Sequence, residues 1–204
     1  GGNEGGTGGT TPEKPEDKPV EPEKVEKEFT GAIGGDLASD ETYKDLVNKE
    51  TGALDFGKLE ATEGEVIGSV KIETEATADN NTVISSDKAD KPVIIDMAGL
   101  NLEVNAGADK VAKGIEATNG AAVTISNAGN VTITANAESG SASAIYAAGK
   151  DTTIIIDNAK SDDNLGGTVK LEAKGNASEA VLQAKDGAVV DIKGVVDITK
   201  TDGN

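Results

Sequence analysis

Carboxylates, lysines, tyrosines and hydroxyls are the only side chains in this sequence that could carry out chemistry. The 204 residues include no histidine, cysteine or tryptophan, and all 19 basic residues are lysines because no arginine occurs. A Ser-His-Asp or Cys-His catalytic arrangement is therefore excluded. Zinc sites with histidine or cysteine ligands and arginine clamps on phosphate or carboxylate groups are excluded for the same reason.

Three groups of carboxylates remain as candidates for a catalytic site. They are Asp36, Asp40 and Glu41 beside a predicted helix, Asp87 and Asp90 in one turn, and Asp162 and Asp163 in the long loop 157–168. A glycoside hydrolase needs two carboxylates that face each other across a sugar, and any catalytic site needs several groups that converge in a cleft. No spacing in the sequence indicates either arrangement, so we predict that the chain has no catalytic residues.

Calcium is the one metal ion that the residue types favour. Its candidate ligands are Asp157, Asp162, Asp163 and Asn164, because hard oxygen ligands clustered in a loop suit calcium. The spacing matches neither an EF-hand nor a glycine-aspartate nonapeptide repeat, and acidic loops are commonly just solvated. We therefore predict no metal site and no cofactor, with calcium in this loop as the alternative.

The charge and composition exclude several classes of partner. A net charge of −18 and a pI near 4.3 oppose binding to nucleic acid and to an anionic membrane surface. No apolar run approaches the roughly 20 residues needed to cross a bilayer, so we expect no direct membrane insertion. Apolar residues make up 36% of the chain, aromatic residues only 2%, and glycines number 26. This composition favours thin β-layers built from small and β-branched residues.

The first 58 residues are predicted to form two segments that precede the main domain. Residues 1–28 are rich in glycine, proline, glutamate and lysine, so they have little to bury and are predicted to be a disordered linker. Within residues 29–58, acidic Asp40 and Glu41 precede apolar residues spaced three and four apart, which predicts a short helix over 39–50. We expect 29–58 to be an N-terminal cap on the first coil that blocks edge-to-edge aggregation.

Residues 59–204 contain an internal repeat. Its units begin at aliphatic residues that lie 25, 31, 30 and 37 positions apart, namely Leu59, Ile84, Ile115, Ile145 and Leu182. Each unit holds about three short strands of alternating hydrophobicity, separated by turns that contain Gly, Asn or Asp. A period near 30 residues with loops of variable length indicates a solenoid.

Stacking of the units would bury an inward face that no single unit can cover. We expect each strand to lie in register over its counterpart in the previous coil, at a spacing of roughly 4.8 Å. The five unit starts would then form one column of inward side chains. A second column would contain the pairs Val70/Ile72, Leu100/Leu102, Val131/Ile133, Val169/Leu171 and Val196/Ile198. The predicted fold is all-β, a parallel β-helix of about five coils.

Two asparagines are predicted to occupy the same position in successive turns. Asn127 and Asn158 each follow an alternating strand and precede Ala128 and Ala159. The favoured interpretation is structural, because asparagine tolerates left-handed backbone and can bond neighbouring backbone groups. A ligand-binding amide is the alternative.

Three segments of the repeat resemble the β-helical passenger domains of bacterial autotransporter adhesins. They are GNVTIT at 129–134, SAIYAAG at 143–149 and DTTIIIDN at 151–158, and the likeness covers about residues 59–199. It implies a right-handed β-helix that crosses the outer membrane unfolded and folds outside, hence an extracellular location at the bacterial cell surface. The lack of cysteine agrees with such passage. The membrane domain of that family is missing from this sequence, so 59–204 is interpreted as a β-helix truncated at its C-terminus, in an excerpt or a processed chain.

The predicted function is a non-enzymatic extracellular scaffold. It would be a fragment of a bacterial surface adhesin or autotransporter passenger that presents loops to an unidentified host or cell-surface protein or glycan. The predicted contact loops are 76–82, 106–113 and 157–168, because insertions in a solenoid collect on loops. The alternatives are a polysaccharide-active β-helix enzyme, a lyase or hydrolase, and a structural surface-layer or filament component.

Overall fold

Parallel β-strands make up most of the regular secondary structure of this chain. A computed structural model describes residues 1–2, 9–158, 167–176 and 179–202. Within these ranges fifteen strands form three sheets, and all twelve pairings between named strands are parallel. The prediction of an all-β parallel solenoid is therefore confirmed.

Apart from β1, each sheet contains every third strand of the chain. Sheet A has the order β1-β3-β6-β9-β12-β15, with β1 at Glu23–Thr30, β3 at Glu65–Glu73, β6 at Asn101–Ala108, β9 at Val131–Ala137, β12 at Thr168–Gly175 and β15 at Val195–Asp202. Sheet B has the order β4-β7-β10-β13, with β4 at Asn80–Ser86, β7 at Val111–Thr118, β10 at Ser141–Ala148 and β13 at Leu182–Lys185. Sheet C has the order β2-β5-β8-β11-β14, with β2 at Leu54–Asp55, β5 at Val93–Asp96, β8 at Ala122–Ala128, β11 at Thr153–Asn158 and β14 at Val189–Lys193.

This order of strands means that the chain winds around a central core. From β3 to β14, successive strands enter sheets A, B and C in turn. Two parallel neighbours in one sheet need a long crossover connection, and here the strands of the other two sheets provide it. The inward side chains of all three sheets meet in a single hydrophobic cluster, which is built mainly from valine, isoleucine and alanine.

The first predicted column is confirmed except at its beginning. Ile84 pairs with Ile115, Ile115 with Ile145, and Ile145 with Leu182. Leu59 is not part of this column, because an isolated bridge places Ile33 beside Ile84 instead. Leu59 follows a 3₁₀ turn and is only partly buried. The resemblance of its local sequence to the later units is therefore not a structural equivalence.

The second predicted column is confirmed in four of its five pairs. Val131/Ile133 stack between Val169/Leu171 and the pair Leu102/Val104 of β6. The prediction of Leu100/Leu102 was wrong by two residues, because Leu100 lies in the turn before β6. Leucine or valine occupies positions 100, 102 and 104, so alternation alone does not decide which two positions enter the sheet.

Sheet B bends at the same point in β4, β7 and β10. Val83-Ile84, Gly114-Ile115 and Ala144-Ile145 are consecutive residues that are both buried. Adjacent residues of a straight strand point to opposite faces, so burial of both requires a corner. Gly114 fits this corner because it lacks a side chain: a Cβ there would collide with Ile133 Cγ2 and lie 2.6 Å from the carbonyl oxygen of Ala144.

Tight turns connect sheet B to sheet C. Asn119-Gly120 and Asp186-Gly187 have positive φ at both residues, and a backbone hydrogen bond of 3.1 Å closes each turn. Positive φ at both central residues defines a type I′ turn, which strongly favours Asn-Gly and Asp-Gly. The glycines that recur in the sequence at positions 120 and 187 are therefore explained by the backbone geometry of this corner.

The N-terminal segment differs from the prediction in two respects. Strand β1 begins at Glu23 and pairs with β3, so the last six residues of the predicted linker belong to sheet A. The predicted helix over 39–50 is replaced by two 3₁₀ turns, Leu37–Ser39 and Lys44–Leu46. A third 3₁₀ turn, Phe56–Lys58, follows β2. The Asp40 carboxylate accepts hydrogen bonds from the backbone amides of Thr42 and Tyr43, as an N-cap residue does. The turn that follows nevertheless ends at Leu46, because Val47 has an extended backbone.

Aromatic side chains hold this segment against the first strands. Phe29 of β1 lies 5.6 Å, between ring centroids, from both Tyr43 and Phe56. Tyr43 is fully buried, and its hydroxyl donates a 2.8 Å hydrogen bond to the carbonyl oxygen of Gly31. Burial raises the pKa of Tyr43 strongly, and the negative charge of Asp40 adds to the effect.

A methyl group at Gly114 is expected to destabilise the fold. The Gly114→Ala variant should lose about 1–3 kcal/mol of the free energy of unfolding, because the added Cβ has no room at the corner of sheet B. Urea denaturation measures this loss. The matched control is Gly68→Ala in β3, where an added Cβ meets Lys24 at an ordinary 3.6 Å. Equal stability of the two variants would show that the corner is not tightly packed.

The stability of the N-terminal segment should depend on pH through Tyr43. Its folded-state pKa lies above the unfolded value of about 10, so its contribution is intact below pH 10 and is lost as the pH rises further. Between pH 8 and pH 11 the unmodified protein should lose about 1.4 kcal/mol more than the Tyr43→Phe variant, since only the former can form a tyrosinate on unfolding. Urea midpoints at both pH values test this, and equal losses would contradict it.

Candidate functional site

The carboxylates singled out near the N-terminus serve local structure. Asp36 accepts a 3.2 Å hydrogen bond from the amide of Ala38, and Asp40 accepts one of 2.8 Å from the amide of Thr42. Glu41 forms an exposed ion pair with Lys44 at 2.9 Å. These contacts cap the turns of the segment, and they do not bring the three carboxylates around a common cleft.

The other predicted acidic sites are only partly covered by the structure. Asp87 and Asp90 are exposed residues between β4 and β5. Asp157 is the last outward-facing residue of β11 in sheet C. Asp162, Asp163 and Asn164 lie outside the described residues. Among the described residues, no group of three or more acidic side chains could hold a metal ion.

The two turn asparagines do not occupy equivalent positions. Asn127 has a left-handed backbone with φ of 53° and donates to the carboxylate of Asp96 at 3.2 Å. Asn158 instead pairs with Ala128, and its amide donates to the carbonyl oxygen of Gly167 at 2.6 Å. The structural interpretation holds for the left-handed Asn127, but the prediction of a shared turn position was wrong because the register of β8 and β11 shifts there by one residue.

The predicted contact loops are shorter than the sequence suggested. Residues 80–82 belong to β4, and the range 106–113 consists of the end of β6 and the start of β7 with only Asp109 and Lys110 between them. Most of the loop 157–168 lies outside the described residues.

Two concave surfaces of the described chain hold candidate polar groups. One of about 390 Å³ brings Asp36 and Asp90 to the same cavity. Another of about 250 Å³ lies on the outer face of sheet B.

This surface, here called the sheet B cleft, surrounds Tyr146 on the outer face of sheet B. Ile145 and Ala147 on either side of Tyr146 are fully buried, so the tyrosine points outward. The cleft has a volume of about 250 Å³, and side chains from β7, β10 and β13 line it, including Lys113, Ser141, Gln183 and Lys185. Three successive turns of the solenoid thus contribute to one site.

Two lysines from different turns approach the tyrosine ring. Lys113 Nζ lies 4.1 Å from the ring centroid of Tyr146, and Lys185 Nζ lies 5.1 Å from it. An ammonium group over an aromatic face is attracted by the ring quadrupole. Hydrogen bonding to Tyr146 is the main cause that raises the pKa of Lys185, so this lysine stays charged at neutral pH.

A hydrogen-bonded network forms another wall of the cleft. The amide of Gln183 donates to Ser143 Oγ at 2.8 Å and to the carboxylate of Glu179 at 2.7 Å. The Ser143 hydroxyl donates in turn to the carbonyl oxygen of Ala180 at 2.8 Å. Lys113 is paired with Glu116 of the same strand. These contacts fix the polar side chains before any ligand arrives.

This cleft was not predicted from the sequence. The outward row that contains Tyr146 runs Ser85, Glu116, Tyr146 and Gln183, residues that lie 30 to 37 positions apart in sequence. A signal was present, however. The chain has only four phenylalanines and tyrosines, and Tyr146 is the one that lies within the repeat region rather than near the N-terminus.

Comparison with protein-family models, curated proteins and solved structures finds no match to this chain. Among the described residues, no helix has the length and apolar character required to span a membrane. The fold and the sheet B cleft are therefore the observations on which a functional assignment depends.

Proposed function

We propose that this chain is a non-enzymatic extracellular scaffold, a segment of a bacterial surface adhesin or autotransporter passenger. The observation that carries the proposal is the parallel stacking of sheet A, in which six strands pair in succession from β1 to β15 with one register shift between β1 and β3. Each turn contacts its neighbours along the stack, and repetition of such turns builds an elongated scaffold.

The finer architecture belongs to the same proposal. The rod is a right-handed β-helix of about five coils, because crossovers between parallel strands are right-handed in nearly all proteins. Residues 29–58 cap its N-terminal end, where Leu54, Phe56 and Tyr43 are buried. The exposed, proline-containing residues 9–22 act as a spacer next to the rod.

The polar groups of the described surface support a binding role rather than catalysis. The ion pairs on the outer face of sheet A, Lys71 with Glu73 and Lys170 with Glu172, join residues two positions apart on one strand. The Tyr146 cleft contains the Lys113–Glu116 ion pair and a Glu179 carboxylate that accepts from Gln183, instead of two opposed free carboxylates. The partner is a protein or glycan of a host or cell surface.

A structural surface-layer or filament component is the second candidate. It is favoured by the edge strand β15, whose inward residues Val196 and Ile198 are 39% and 52% exposed. At the opposite edge, β1 carries alternating charges at Lys24, Glu26 and Glu28, which discourage strand pairing. An apolar open edge can pair with a strand from another molecule.

Two assays separate the scaffold from its two alternatives. We expect the purified chain to release no reducing ends and no unsaturated products from neutral or uronate-containing glycans. Sedimentation velocity over a roughly hundredfold concentration range should give one constant sedimentation coefficient. Product formation would replace the proposal by a polysaccharide-active enzyme, and concentration-dependent assembly would replace it by a filament component.

A further inference from the structure

Tyr146 is an unusual residue for its position. The other side chains in its outward row are Ser85, Glu116 and Gln183, which are small or polar as expected of a solvated face. The remaining aromatic residues, Phe29, Tyr43 and Phe56, form one cluster at the N-terminal end. An isolated, outward-facing aromatic ring in a preformed cleft indicates a ligand with an apolar surface to place against it.

The cleft presents both donors and acceptors around this ring. In the part of the chain that the structure describes, the Ser141 hydroxyl and the Gln183 carbonyl oxygen have no hydrogen-bond partner. Lys185 makes no ion pair there and is exposed, with its ammonium group near the ring. A ligand that uses these groups must both donate and accept hydrogen bonds, as the hydroxyl groups of a sugar do.

The charges of the cleft favour a neutral ligand. Lys113 forms an ion pair with Glu116, and the negative charges of Asp186 and Glu179 act on the Lys185 ammonium without an ion pair. The site therefore has no excess of positive charge, and the whole chain carries −18. An acidic ligand would be repelled by the protein as a whole and would find no excess of positive charge in the cleft.

We propose that the sheet B cleft binds one unit of a neutral saccharide, whose ring face replaces the exposed Lys185 ammonium over Tyr146 while that ammonium donates to a sugar hydroxyl. The cleft volume of about 250 Å³ lies just below the range of roughly 300–1,000 Å³ typical of drug-sized ligands, which suits a single glycosyl unit. The inference rests on the proposed function, because it names the chemical class of partner that the scaffold holds.

The preformed network lowers the cost of binding. Gln183, Ser143 and Glu179 already hold one another through hydrogen bonds, so few rotamers must be fixed when a sugar enters. Lys185 is the exception, since it is exposed and loses freedom on binding. A single glycosyl unit should therefore bind weakly, with a Kd of about 1–10 mM.

Amide chemical-shift mapping of the ¹⁵N-labelled chain tests the proposal. The probes are glucose, galactose, mannose and N-acetylglucosamine, each titrated to about 100 mM, which is well above the expected Kd. At least one of them should produce saturable shifts that centre on Tyr146, Gln183 and Lys185. Glucuronate is the acidic comparator and should bind at least about threefold more weakly than the best neutral sugar.

Variants on the two sides of the cleft give the decisive comparison. Tyr146→Ala should weaken binding about tenfold and Lys185→Ala about threefold, since both contact the sugar. Lys170→Ala is the matched control, because Lys170 is an exposed lysine on sheet A that pairs with Glu172. It should bind as the unmodified chain does. Unchanged amide shifts elsewhere in each variant establish that the solenoid is folded.

Three results would overturn the inference. They are the absence of saturable shifts with every neutral sugar, binding that survives in both Tyr146→Ala and Lys185→Ala, and tighter binding of glucuronate than of any neutral sugar. None of them concerns glycan cleavage or self-assembly. The scaffold proposal therefore stands or falls separately, on the assays for product release and sedimentation.

Discussion

The structure depends on in-register stacking of equivalent residues along parallel strands. A parallel strand in this fold finds its backbone hydrogen-bond partners on the neighbouring turns, so each turn is held by the ones before and after it. Shifting the register by one residue would exchange the inward and outward faces of an entire strand. Columns such as Val70, Leu102, Val131 and Val169 therefore determine both the packing of the core and the pairing of the backbone. Small aliphatic side chains suffice for this because like residues pack directly on like.

Much of this arrangement could be predicted from the sequence, since the alternation of short strands and the recurrence of isoleucine directly reflect the stacking. Ile115, Ile145 and Leu182 are examples. The first turn could not be predicted, because Ile33 joins the column from a segment with no strand pattern of its own. The predicted helix over 39–50 was wrong because tertiary contacts outweigh the apolar spacing of this segment. Tyr43, for example, is held by a hydrogen bond from its hydroxyl to the carbonyl oxygen of Gly31. The sheet B cleft was missed because its members meet only once the register is known.

Inward and outward positions of this molecule differ in which side chains they can accept. Inward residues are restricted by their neighbours in the column, as the lack of space at Gly114 illustrates. Outward residues are restricted only by solubility and edge protection, so recognition can be placed there without a loss of packing. The Tyr146 cleft lies on such a surface and draws residues from three consecutive turns. Binding in this cleft would consequently depend on the correct stacking of all three turns, because displacement of one turn removes one wall of the site.

Distances between spin labels along sheet A test the stacking most directly. Glu28, Thr132, Lys170 and Asp197 belong to one outward row that passes through Lys71 and Glu103. With one label at Glu28 and the other at Thr132, Lys170 or Asp197, the Cα positions are three, four and five strands apart. We predict single narrow distributions near 14, 19 and 24 Å, increasing by about 4.8 Å per strand. Broad distributions, or distances that do not increase in equal steps, would contradict the account.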